Sequence, residues 1–426
     1  MKQTQEAVVD TQSHINVRNV LMWLCAAVFY GYQFILRVSP SVMTAELQNA
    51  LSIEACALGA LTSFYYYGYS TLQIPVGIML DRIGVRKPLT LASILCLIGC
   101  LLFISVDNLM IMAVGRFLMG VGSAFGFLSS LKLATLWLPL HRYAFFIGLT
   151  LLLGTTGAAS AGAPLAFLID VFGWKETIMI FAVVGAFLAT ASYTIIQEHP
   201  SQKKGDGRSH EFKIFESIMM VLRNPQTWIV GAYGFLMYVP LSGFADLWGV
   251  PYIMEVFGVE KYKAAESVSM FYIGVGVGAP FTALVGDYFK SHVKPILYGA
   301  FLTFVTIAIA LYCTTIPFYL TYFCFLLSGM FSAVQFLGFA VITKVNPSSI
   351  SATASGIHNT LCMLSGILFQ PFIGYLLDYF SSKGKATIPG VLYSSADYQL
   401  AILVVPLSLL LSVGFAFFIK ESYIKH

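Results

Sequence analysis

Apolar residues in this chain fall into long runs broken by short polar stretches. They show neither the narrow stripe of a surface helix nor the alternation of a half-buried strand. Windows of about 19 residues place runs near 20–37, 57–80, 89–106, 109–133, 144–169 and 176–196, then near 226–248, 266–286, 295–314, 317–341, 352–378 and 398–419. Each is long enough to cross a hydrocarbon core about 30 Å thick as a helix. Six precede and six follow a polar stretch at 197–224, whose Pro, Gly and clustered charges mark a solvated linker. The pattern predicts an all-α membrane protein of twelve transmembrane helices. Residues 1–196 and 225–426 would form two six-helix bundles, with 197–224 as a cytoplasmic linker.

Composition agrees with a lipid-embedded chain. Of 426 residues, 58% are hydrophobic and only 10% charged, against roughly a quarter charged in soluble domains. A soluble enzyme, a disordered hub and a nucleic-acid binder are excluded on that ground. The seven cysteines are an odd, scattered set without C-x-x-C spacing, which argues against a disulfide framework or a metal site. Residues 1–19 hold no short apolar core with a small-residue cleavage site, so the first run reads as an uncleaved span. With both termini in the cytoplasm, 16 lysines and arginines face that side and 6 the other, Arg116 and Lys132 lying within a span. The positive-inside rule then favours cytoplasmic termini.

The halves repeat. Gly120-x-x-Ser123-Ala124-x-x-Phe127 recurs as Gly329-x-x-Ser332-Ala333-x-x-Phe336; Ala144-x-x-x-Gly148 and Asp170 recur as Ala352-x-x-x-Gly356 and Asp378; Asp81 with Pro88 is echoed by Asp287 with Pro295. All fall at offsets of 206–209 residues. Helix packing alone explains small residues in a membrane, but it does not explain a shared offset. Parallel repeats of this kind hold substrate near the midplane, between the halves.

After the second run the chain reads Gly77-Ile78-Met79-Leu80-Asp81-Arg82-Ile83-Gly84-Val85-Arg86-Lys87. This resembles the signature loop of the major facilitator superfamily, G-x-L-x-D-R-x-G-R-[KR]. Met79 departs from the usual Leu, and Val85 is an extra residue before the basic pair. Arg116-x-x-x-Gly120-x-Gly122 and the Gly148, Gly154, Gly157, Gly162, Pro164 series resemble the second and third motifs. The resemblance covers the whole chain and implies the major facilitator fold, two pseudo-symmetric six-helix bundles. Within the superfamily, Arg37–Met43, Tyr65–Gly77 and Ala245–Pro251 are similar to phagosomal amino-acid transporters of intracellular bacteria and, more distantly, to lysosomal dipeptide carriers.

Individual polar residues in the spans mark candidate chemistry. Asp81 is placed to accept from free N–H groups at the start of span eleven, where the helix dipole is positive. Arg82, Arg86 and Lys87 can meet helix-end carbonyls or lipid phosphates, making Gly77–Lys87 a cytoplasmic gate loop. Arg116 lies about 10 Å inside span four at 1.5 Å per residue, where arginine is costly; it can dock a carboxylate, tune a proton site or snorkel. Arg37 and Asp246 hold equivalent outer positions and can pair as a gate, or serve as ordinary interface residues. Asp246 is also the carboxylate best placed to titrate, and His358 can carry a proton or simply pack. Tyr32, Tyr66, Tyr67, Gln335 and Asn359 are candidate cavity residues; Tyr66 and Tyr67 sit mid-span, away from the headgroup belt.

The expected function is alternating-access transport of a small polar nutrient, an amino acid or short peptide, by proton-coupled import across a bacterial inner membrane. The alternatives are export of a metabolite, drug or siderophore on the same fold, or a non-transporting receptor. The expected partners are substrate, protons and lipid, without nucleic acid, cofactor or metal, and the protein is expected to act as a monomer. No G-x-x-x-x-G-K-[ST], H-E-x-x-H or G-x-S-x-G pattern occurs.

Overall fold

The computed structural model describes residues 16–139, 142–198, 208–347, 350–383 and 393–420. Lys2, Lys203, Lys204, Lys385 and Lys425 of the charge tally lie outside these. Helices occupy all twelve expected positions. Span one is Val17–Val38 and continues as a tight turn over Ser39–Val42. Span two is Ala55–Thr71 and Gln73–Ile83; span three, Arg86–Ser105; span four, Leu109–Ser123 and Gly126–Trp137. Span five, Tyr143–Ser160 and Ala163–Phe172, bends by 43° within residues 145–172, where Pro164 cannot donate to the preceding turn. Span six is Trp174–Ile195.

In the second half, span seven runs through Pro225–Met237, a wide π-helical stretch Pro240–Trp248, and Gly249–Phe257. Span eight is Lys261–Phe289, span nine Val293–Tyr312, and span eleven Ser351–Lys383. Span ten combines Phe318–Ser332, a tight turn Ala333–Phe336 and Leu337–Val345; span twelve combines Ser395–Ile402 and Val404–Ala416. The linker is not solvated coil throughout. Arg208–Arg223 is helical, because Phe215, Ile218, Met219 and Leu222 repeat at helical spacing without an intervening Pro or Gly. Ile218 and Leu222 pack on the core.

Among the described residues, nine helices are long and apolar enough to cross a membrane, or ten with the bent pair. Span two falls short of that apolarity. Span two carries Tyr65, Tyr66, Tyr67, Ser70 and Thr71, and span eight begins with Lys261, Lys263 and Glu266. Both face the other half: span two packs on span eleven, and span eight on span five. Their polarity follows from lying at the interface between halves and not in lipid. Side chains such as Phe187, Val183, Phe167 and Leu284 form the exposed apolar outer surface.

The repeat also appears in the packing. A Cβ on Gly120 would run into the Tyr65 carbonyl of span two, and one on Gly329 into the Phe271 carbonyl of span eight. These symmetry-related glycines let the helix backbones touch. Residues 16 and 420 lie on one side of the twelve spans with the linker, here called the linker side; the opposite side is the distal side.

Candidate substrate site between the halves

The distal end of span one carries Arg37 in its last helical turn. Span seven carries Asp246 inside its π-helical stretch, a wide turn of the kind that recurs at functional sites. The structure places Arg37 Nε 2.7 Å from Asp246 Oδ2, joining the two halves. Both residues are buried, at 4% and 1% exposure. Asp246 also accepts from Tyr66 of span two through Oδ2 and from Tyr272 of span eight through Oδ1 at 2.5 Å. Phe34, Tyr66 and Tyr238 surround the Arg37 guanidinium, with ring centroids 5.1, 5.3 and 5.5 Å away. Such faces stabilise a desolvated cation. Arg37 Nη2 has no hydrogen-bond partner.

Arg116 lies beside this pair but serves the backbone. Its Nη1 donates to Leu36 O at 2.7 Å and its Nη2 to Arg37 O at 3.3 Å. These carbonyls belong to the last turn of span one, where a helix leaves acceptors unsatisfied and its dipole is negative. The guanidinium also lies 5.0 Å from the Tyr65 ring centroid. The snorkelling alternative fails, because Arg116 is 1% exposed and directed inward. Its guanidinium caps the helix that presents Arg37.

The family model described as Major Facilitator Superfamily matches residues 22–369. The chain belongs to that superfamily. The uncharacterized transporter YybO of Bacillus subtilis (strain 168) is 24% identical over 422 residues, covering 88% of this chain and 92% of the relative. A D-galactonate transporter of Escherichia coli O6:H1 is 22% identical over 410 residues, covering 89% and 92%. The fold is similar to that of a bacterial homolog of the human lysosomal transporter Spinster, with a TM-score of 0.75 at 15% identity over 97% of this chain and 99% of that one. The protein is thus a multi-pass membrane protein and a secondary transporter, not an enzyme.

Superfamily membership gives the remaining candidates a frame. Tyr32 does not join the centre: its hydroxyl donates to Phe181 O at 2.8 Å, inside the first bundle. Tyr67 points about 100° away from Tyr66 around the helix and is 44% exposed, against Phe64. His358 is enclosed in the second bundle, edge-on to Phe339 at 4.8 Å, with Nε2 3.8 Å from Cys362 Sγ and Nδ1 unpartnered. Gln335 is buried with Oε1 unpartnered. Asn359 does reach across the halves, its Nδ2 donating to Gln73 Oε1 at 2.7 Å.

The gate loop also departs from expectation. Asp81 pairs with Lys132 of span four at 2.5 Å, within its own half, and not with the start of span eleven. Gly84 takes φ +90°, a turn that suits glycine. Arg86 donates to Tyr193 O at 2.8 Å and covers its ring; Lys87 is exposed. The helix-end contact occurs instead on the distal side. Asp378 at the end of span eleven accepts from Ala55 N and Cys56 N, the first turn of span two, at 3.0 and 2.8 Å.

Sequence reasoning missed Tyr272, Gln73 and this role of Asp378. Tyr272 had a usable signal, since Tyr65-Tyr66 recurs as Phe271-Tyr272 at the offset that relates Asp81 to Asp287.

Proposed function

We propose that the protein carries a small organic anion, whose carboxylate docks on Arg37 while Asp246 takes a proton. The observation that carries this reading is the charge balance at the centre: two buried guanidinium groups, Arg37 and Arg116, stand against one buried carboxylate, Asp246. A buried excess positive charge is costly in a medium without water, and an anion neutralises it. Arg37, with Nη2 free, offers the planar fork that matches a carboxylate. A substrate taking that fork displaces Asp246, which would then be a buried anion held only by Tyr66 and Tyr272. Uptake of a proton removes that cost and returns the centre to the charge it carries without substrate, so anion and proton would move together. The full-length relative that carries D-galactonate is consistent with this reading. The lysine and arginine tally supports the linker side as cytoplasmic, and the bacterial relatives support a cytoplasmic membrane.

A second reading keeps the amino acid or dipeptide of the sequence resemblance. Its support is the ion pair itself, whose two charges match a zwitterion. It ranks second because the excess positive charge of the centre attracts a net anion more than a zwitterion. Uptake into proteoliposomes separates the two. Radiolabelled D-galactonate should enter, faster with acid outside, and alanine or dialanine should not compete. Zwitterion uptake that D-galactonate fails to inhibit would overturn the anion reading.

A further inference from the structure

Two polar contacts cross the interface between span two and the second half at different depths. Tyr66 reaches Asp246, and seven residues further along the same span Gln73 meets Asn359. That separation is about 10 Å along a helix rising 1.5 Å per residue, directed from the ion pair towards the linker side. Span two is interrupted at Leu72, between its two helices, and Pro75 cannot donate into the turn before it. Gln73 begins the second helix, and its side-chain oxygen accepts from Asn359. Tyr69, one turn before, lies beside both Gln73 and Asn359. The amide cluster is neutral, whereas the ion-pair end carries excess positive charge.

We infer that Gln73 and Asn359 form the linker-side end of the substrate site and read a hydroxyl-bearing tail. The transported anion would then be a monocarboxylate with several carbons between its carboxylate and a terminal polar group. This rests on the anion reading above and extends it to the far end of the same site. Each end of the site holds groups that pair with one another when no substrate is present: Arg37 with Asp246 at one end, Asn359 with Gln73 at the other. Burying them unpaired would be costly, and a substrate with an acid at one end and hydroxyls at the other gives every group a replacement. A short acid reaches only Arg37. A dicarboxylate would place its second charge on neutral amides with no cation to meet it.

Hydrogen bonds from the amides to the tail add affinity that an acid without a tail does not gain. Specificity is therefore the readout, and a purely structural role would not change it. Calorimetric titration of the detergent-purified full chain should show D-galactonate binding at least about tenfold tighter than lactate or galactarate, a ratio equal to about 1.4 kcal/mol. Gln73→Met and Asn359→Leu, which keep volume and remove the polar groups, should bring the D-galactonate to lactate ratio to within about twofold. Should Asn359→Leu fail to insert, Asn359→Ala with Gln73→Met serves the same comparison. If D-galactonate and lactate weaken in equal proportion, or neither changes, the amides do not read a tail and this inference is overturned. If the unsubstituted protein binds none of the three acids, the anion reading itself falls and takes this inference with it.

Discussion

At the residue scale, the ion pair Arg37–Asp246 is a matter of burial before it is a matter of attraction. Removing two charges from water costs several kcal/mol per ion, and their mutual attraction offsets that only with good geometry and further hydrogen bonds. Here the tyrosines supply those bonds to Asp246 and three rings face Arg37. Neutralising one member leaves the other buried and unpaired, a change of about 3–5 kcal/mol in comparable sites. Arg37→Gln and Asp246→Asn should therefore each lower the thermal midpoint of the purified protein, while the double variant should recover much of the loss. A double variant as unstable as the sum of the singles would show that the two charges are not coupled. The alignment of these residues was legible in the sequence, because both stand at the same place in each repeat, 209 residues apart. The role of Arg116 was not. Its acceptors are the carbonyls of Leu36 and Arg37, and backbone acceptors leave no mark in a residue pattern. Tyr32 misled for a related reason: a tyrosine in span one reads the same whether it faces the other half or, as here, Phe181 O of span six.

At the scale of elements, the helix ends carry the information. Asp378 closes on the positive first turn of span two, and Tyr393 completes the contact by donating to Asp378 Oδ1 at 2.6 Å and accepting from Ala55 N at 2.9 Å. The sequence argument expected the same physics, a carboxylate at the free N–H groups of a helix in the other half, but assigned it to Asp81. Which side makes this contact depends on how the halves dock, and no local pattern encodes that. With the halves joined distally, Asp81 turns to Lys132 in an exposed pair of the kind worth at most about 1 kcal/mol, readily exchanged when the halves move. The span positions were legible from hydropathy. Cys56 offers a native reporter for the distal contact: it is half-buried, and its N–H donates to Asp378. In a Cys313→Ser background, which removes the exposed thiol, Asp378→Asn should raise the rate at which a water-soluble maleimide labels Cys56 severalfold. An unchanged rate would mean that Asp378 does not hold the start of span two.

At the scale of the whole molecule, the distal contacts follow the repeat. Asp378 ends span eleven and holds the start of span two. Its counterpart Asp170 ends span five and lies 3.2 Å from Lys261 at the start of span eight. Lys261 also binds Glu46 at 2.6 Å, so one ammonium on the second half grips two carboxylates on the first. Two clasps related by the pseudo-twofold axis thus flank the buried Arg37–Asp246 pair, and opening of the distal side is expected to release all three. The Lys261 pairs are partly exposed, each worth about 0–1 kcal/mol, and a carboxylate at a helix N-terminus adds about 0.3–1 kcal/mol. Contributions of that size are modest for stability, yet they change populations several-fold when two states lie close in energy. Lys261→Gln and Asp378→Asn sit on different helices with no shared partner, so their effects on the opening free energy should add. Spin labels at Val106→Cys and Thr315→Cys, exposed distal loop positions in the two halves, would report the separation in a background with Cys56→Ser and Cys313→Ser. Each substitution should add a longer-distance population, and the pair together should multiply the ratio of open to closed molecules by about the product of the single effects. A distance distribution identical to that of the parent in all three variants would remove the clasps from the transport cycle.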